Sequence, residues 1–242
     1  MSGGRDGSAS DHPPAGARKE AAPPVRLLQR VLQERPPAPA GERCDMCAAP
    51  VAEEHPHVVD LESRSLLCTC RPCALLFTTP GAATSLGGAR YRTVPDRTLS
   101  FPAFTLTAGQ WDDLQVPVGM VFFFHNSRLN RTVAVYPGPA GATESELPLQ
   151  AWDEVVAANP ALATMEPDVE AVLVRSVRGP DGNVLECYLV PIDRCYELVG
   201  LMRRSWRGFD GGPEAHEQLR LFFDDVRARS RPAPGGAFGG PG

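Results

Sequence analysis

The sequence predicts an α+β fold: a small cysteine-rich module packed on a domain of two β-hairpins and three to four helices. Three observations predict it. Five of the seven cysteines (Cys44, Cys47, Cys68, Cys70 and Cys73) fall within thirty residues. Downstream, two pairs of apolar strands are each joined by a short polar turn. Apolar residues at helical spacing follow each pair.

Residues 1–40 read as a tail. Gly, Ser, Ala and Pro without periodicity run to about residue 22 and predict disorder. Then VRLLQRVLQER (25–35) lies between Pro23-Pro24 and Pro36-Pro37, with Leu28, Val31, Leu32 and Arg35 at helical spacing. A lone helix this short is marginal in water, so it is expected to dock, by preference on its own body.

Residues 41–80 form the cysteine module. Val58-Val59-Asp60-Leu61 and Ser65-Leu66-Leu67-Cys68 flank the polar Glu62-Ser63-Arg64, which is a hairpin pattern. Knuckle, hairpin and second knuckle together give a zinc-ribbon-like layout. The apolar Ala74-Leu75-Leu76-Phe77 is expected to lock it onto a larger body.

Residues 81–229 form the α+β domain. Thr107-Ala108-Gly109-Gln110 has the form of a capping box before a short helix over Trp111–Leu114. Val118–His125 and Arg131–Tyr136 are strands around a turn at Asn126–Asn130. The loop YPGPAGATESEL (136–147) leads to a helix over Leu149–Ala158, ended by Asn159-Pro160. Val169–Val177 and Val184–Ile192 form the second hairpin. Asp193 reads as the N-cap of the next helix, with Cys195, Leu198, Val199, Met202 and Trp206 on one face. Gly208–Gly212 breaks that helix, and a last one runs from Pro213 to Arg229. Residues 230–242 are rich in Gly and Pro and read as a second disordered tail.

The chemistry concentrates in the cysteines. Cys44 and Cys47 are spaced C-x2-C, and Cys70-Arg71-Pro72-Cys73 repeats that spacing. Each pair offers two thiolates from one tight turn, which is how a short segment grips a tetrahedral metal. There are 22 residues between Cys47 and Cys70 and 20 between Cys47 and Cys68. The usual spacer is about 15–20, so either register is admissible. Cys44, Cys47, Cys70 and Cys73 are the favoured ligands, with Cys68 a fifth thiol. Zinc is the expected ion. Iron or an iron–sulfur cluster is the alternative, because Cys68 is available and Ala48 and Ala74 stand where glycines commonly follow knuckle cysteines. His55 and His57 lie close by and read as surface or strand-start residues rather than ligands. Cys187 and Cys195 read as small core residues.

Other classes recede. Residues 41–229 carry 17 basic and 25 acidic side chains, a net of −8, which disfavours nucleic acid as a partner. No apolar run approaches the roughly 18 residues of a membrane span, and the N-terminus lacks a signal-peptide pattern. A cytoplasmic location is expected, where clustered cysteines favour metal over disulfide. Gly138–Thr143 lacks the lysine of a phosphate loop and reads as a shaped turn. Trp206–Gly212 reads as a helix–helix corner. No nucleophile, base and orienter assemble from the sequence, so an enzyme is not expected.

Four phrases carry a resemblance: CDMC with CTCRPCALLF, YPGPAGATESEL, PDVEAVLV, and VPIDRCYELVGLMRRSWRGFDGG. Together, over roughly 41–229, the chain resembles an uncharacterised actinobacterial domain family similar to proteins encoded beside high-affinity nickel–iron uptake hydrogenases. The resemblance implies an accessory role near a hydrogenase, in maturation, assembly or electron transfer. A protein partner, the hydrogenase or its maturation factors, is therefore expected.

Overall fold

The computed structural model describes residues 41–78, 90–113, 119–138, 140–145, 150–179, 182–208 and 211–234. The helix expected over 25–35 lies outside them. The described residues form one compact unit with both helices and strands, as the α+β reading anticipated.

In the cysteine module, β1 (His57–Asp60) and β2 (Ser65–Cys68) form the expected hairpin. The register runs from His57 opposite Cys68 to Asp60 opposite Ser65. Asp60 shapes the turn by accepting a hydrogen bond from the Glu62 N–H at 3.0 Å, and Arg64 takes the left-handed region at φ 56°. A five-residue helix, α1 (Arg71–Leu75), follows with Pro72 in its first turn. A third strand unforeseen in the sequence, β3 (Tyr91–Thr93), pairs with the other edge of β1 and completes a sheet of order β2-β1-β3. Val58, Ala74 and Phe77 form its small core, with Met46 and Tyr91 against them.

The body is a seven-stranded sheet. Its strands are β4 (Leu99–Ser100), β5 (Met120–Asn126), β6 (Arg131–Gly138), β7 (Gly141–Ser145), β8 (Glu170–Gly179), β9 (Gly182–Pro191) and β10 (Arg231–Pro232), in the order β10-β4-β9-β8-β5-β6-β7. The two expected hairpins are β5–β6 and β8–β9. Three additions escaped the pattern. The segment read as a loop at 136–147 turns back as β7 on β6. Two-residue β4 pairs with β9, and β10, inside the segment read as a tail, pairs in parallel with β4. Strands this short have no alternation to read.

Alternation along β5 sorts the layers. Val121 and Phe123 face α3 (Gln150–Ala158), where Trp152 stacks on Phe123 at 4.2 Å between ring centroids. Met120 and Phe122 face α4 (Ile192–Ser205) and α5 (Gly212–Arg229). Val59, Leu61 and Val94 join this second core, so one apolar cluster holds module and body together. The capping box forms before α2 (Ala108–Asp113): Thr107 N–H donates to Gln110 Oε1 at 3.0 Å, and Gln110 N–H to Thr107 Oγ1 at 3.2 Å.

Helix α4 buries Ile192, Cys195, Leu198, Leu201, Met202 and Ser205; of the face expected from spacing, Cys195, Leu198 and Met202 are buried, while Val199 is partly buried and Trp206 lies past the last turn as the C-cap. Its N-cap differs from the expectation: Pro191 holds that position, and Asp193 lies in the first turn. The Asp193 carboxylate is engaged elsewhere, on His57. At the α4–α5 corner Gly211 takes φ 90°, and a Cβ there would lie 3.0 Å from the Trp206 ring. Only glycine suits both the dihedral and that close approach.

Candidate metal centre

Backbone geometry brings the two knuckles together before any metal is invoked. In the first, Cys44 N–H donates to Ala49 O at 2.8 Å and Ala48 N–H to Cys44 O at 2.8 Å. This turn forces Ala48 to φ 62°, the region a glycine would take without cost. The second knuckle is the entrance to α1: Ala74 N–H donates to Cys70 O at 3.0 Å. Ala74 is helical and buried against Val58 and Phe77, so a glycine has no purpose there. The knuckles meet through β2, where Asp45 N–H donates to Cys68 O at 2.8 Å and Cys68 N–H to Asp45 Oδ2 at 2.7 Å.

The result is a four-sulfur cluster. The Sγ atoms of Cys44, Cys47, Cys70 and Cys73 all lie within 4.8 Å of one another. Cys47 and Cys70 sulfurs are 3.6 Å apart, far beyond a disulfide bond. Metal–sulfur bonds of about 2.3 Å in a tetrahedron place sulfurs about 3.8 Å apart, so the cluster is near the size a metal requires. These four cysteines can hold a metal ion.

Electrostatics points the same way. Burial alone would push the Cys44 thiol up, but backbone N–H groups of Cys70, Cys47 and Met46 aim at its sulfur and lower it to about 6. Cys73 is pushed well up by burial and by its hydrogen bonds to Cys70, Cys47 and Cys44. Cys47 is also raised: the Ala49 backbone lowers it, but the Cys44 and Cys70 sulfurs outweigh that. The Cys44 thiolate forms readily while Cys47 and Cys73 resist ionisation, and a bound cation removes that resistance.

Cys68 stands apart from this set. It groups instead with His55 and His57, whose donor atoms lie within 4.8 Å of its sulfur and of each other. His57 Nδ1 is 2.9 Å from Asp193 Oδ2, and His55 Nδ1 is 2.8 Å from Ala52 O. The His55 side chain is only 7% exposed rather than on the surface, and its Nε2 has no hydrogen-bond partner. One signal for this group lay in the sequence, the His-x-His spacing; the hairpin expected over Val58–Leu61 and Ser65–Cys68 would set Val58 opposite Cys68, and the observed register, shifted by one residue, sets His57 there. Asp193, 136 residues away, gave none.

Cys187 and Cys195 are buried on opposite faces of the large sheet, and burial pushes both thiols up. They are core residues. A cavity of about 530 Å³ lies between the β1–β2 hairpin and the body. Leu66, Phe122, Phe124, Val135 and Val199 give it apolar walls, and Asp168, whose carboxylate lies 3.9 Å from the Arg92 guanidinium, also lines it. Such a space can take an apolar group. No helix among the described residues is long and apolar enough to cross a membrane.

No curated protein and no solved structure matches the chain. A family model does, across residues 43–230, from the first knuckle to the end of α5. The chain belongs to that family, described as a family of unknown function (DUF5947).

Proposed function

We propose that this chain is a non-enzymatic accessory protein with a structural zinc ion at Cys44, Cys47, Cys70 and Cys73. It acts in the cytoplasm and assists assembly or maturation of a partner complex. The observation that carries this reading is the closure of the four-sulfur cluster: four thiolates from two turns fill a tetrahedron and leave no position for a substrate. In such sites the metal's binding energy goes into folding. Here it supports a zinc-ribbon-like hairpin that forms one wall of the cavity against the body, so metal occupancy shapes the surface offered to a partner. The resemblance to proteins encoded beside nickel–iron hydrogenases supplies the partner class, a hydrogenase subunit or maturation factor.

Metal analysis of the purified full chain tests the first part. Colourless protein containing zinc, with loss of cooperative unfolding after chelation, is the expected result. Iron with a visible chromophore overturns it in favour of an electron-transfer protein. Capture with tagged full chain, alongside a chain lacking residues 1–40, tests the second part. A hydrogenase subunit or maturation factor retained on the tagged chain is expected, and capture without any hydrogenase component overturns that partner class.

A further inference from the structure

Outside the four-sulfur cluster, the hairpin carries a second set of metal-ligating groups. His57 and Cys68 are directly opposed in the antiparallel register of β1 and β2, so their side chains leave the same face. His55 precedes His57 by two residues, and the two rings lie 4.8 Å apart between centroids. We propose that His55, His57 and Cys68 form a second metal site, distinct from the four-thiolate centre, for a borderline-soft divalent cation of the zinc class.

The hydrogen bonds decide which atoms are free to ligate. Ala52 O can only accept, so the His55 Nδ1 at 2.8 Å from it carries the proton, and Nε2 is left with a lone pair. That Nε2 is buried and has no partner. His57 Nδ1 donates to Asp193 Oδ2 at 2.9 Å, which likewise leaves its Nε2 as a lone-pair donor. A ligating imidazole held from behind by a carboxylate is the recurrent outer arrangement of metal histidines. Asp193 is a positioning residue here. It comes from the first turn of α4 in the body, so a metal at this site would tie the module to the body.

Two imidazole nitrogens and one thiolate suit zinc and its neighbours. One ring nitrogen of each histidine and the Cys68 sulfur lie within 4.8 Å of one another, and closing each donor toward the metal by about 1 Å gives tetrahedral spacing. Three protein ligands leave the fourth position for water or another exchangeable ligand, unlike the closed four-thiolate centre. The same residues are not set as a nucleophile and base, because no hydrogen bond joins Cys68 Sγ to His57. Zinc at the four thiolates is the first equivalent in the test, and iron there lowers every expected zinc count by one.

The test uses the full chain equilibrated with buffered zinc. Wild type is expected to hold about two equivalents, and Cys68→Ser about one with its fold retained by circular dichroism. Wild type holding only about one equivalent, or a Cys68→Ser chain that still holds about two, overturns the proposal. His55→Gln gives an independent variant should Cys68→Ser unfold, with the same two outcomes. Asp193→Asn should weaken the more labile equivalent by about tenfold or more while the first stays bound. No variant is needed for the last arm: alkylation of Cys68, followed by peptide mass spectrometry, should slow as zinc is raised from one equivalent to two. A rate that ignores the second equivalent, whether slow or as fast as an activated nucleophile's, overturns the site.

Discussion

Asp45 and Cys68 exchange two hydrogen bonds, backbone to backbone at 2.8 Å and backbone N–H to carboxylate at 2.7 Å. This clasp fixes the first knuckle to the end of β2, and so sets Cys44 and Cys47 near the second knuckle. Asp45→Ala removes the side-chain half of the clasp and leaves the Cys68 N–H to water. Because Asp45 is exposed, the expected cost is about 1 kcal/mol rather than the full charged-bond value. Asp45→Asn keeps the acceptor and should recover most of it. Thermal unfolding of metal-loaded protein measures both.

Ala48 occupies φ 62° in the first knuckle, where a Cβ costs roughly 1–2 kcal/mol. Ala48→Gly removes that strain but adds backbone freedom to the unfolded chain, worth about 0.5–1 kcal/mol. The expected net is a stabilisation of about 0.5 kcal/mol, seen as a raised midpoint in denaturant without a change of slope. The same substitution at helical, buried Ala74 should destabilise. Opposite signs at two equivalent-looking positions check the backbone assignment.

Much of this was legible from residue patterns, and the failures have physical causes. The two long hairpins carry apolar alternation or continuous apolar runs, and their turns carry Asn, Asp and Gly, so local sequence specifies them. The C-x2-C turns announce a four-sulfur cluster because the thiolates of each pair are local. By contrast, β3, β4 and β10 are two or three residues long, and pairing across the fold, not propensity, makes them strands. Gly141–Ser145 read as a loop because its glycine and polar residues suit a turn, yet β6 offers a free edge that it fills. Asp193 has the composition of an N-cap, but His57 competes for its carboxylate, and a contact that distant in sequence leaves no local trace.

Acid stability should report on Asp60. Its carboxylate is nearly buried and receives Arg90 Nε at 2.9 Å and Nη2 at 2.6 Å. The Arg90 guanidinium, helped by the Glu62 and Ser63 N–H groups, holds it well below the usual carboxylate range despite burial. A depressed folded value means that the stabilisation is fully present above the unfolded value of about 3.9 and is lost as pH falls below it. Unfolding followed from neutral pH downward should therefore steepen below about pH 4. In Arg90→Met that limb should flatten, with the loss of stability already visible at neutral pH. An unchanged acid limb would show that Asp60 is ionised in both states by other means.

Glu170 gives the sharpest stability prediction in the body. Its side chain is fully buried at the start of β8. One oxygen accepts from Arg97 Nη2 at 2.7 Å and from Glu166 N–H at 2.8 Å, and the other accepts from Arg97 Nε. Arg97 also donates to Thr164 O at 2.9 Å, so one guanidinium binds the strand to the turn before it. Arg97→Met strips the counter-charge from a carboxylate that water cannot reach. A fully buried pair broken this way loses about 3–5 kcal/mol, and because Arg97 is 39% exposed the expected loss is nearer 2 kcal/mol. Replacing both residues by methionine removes the stranded charge and should recover part of that loss. A double-mutant cycle in denaturant reads the coupling directly. Additive losses would mean that Arg97 and Glu170 act independently, and that the buried carboxylate is satisfied by the Glu166 N–H alone.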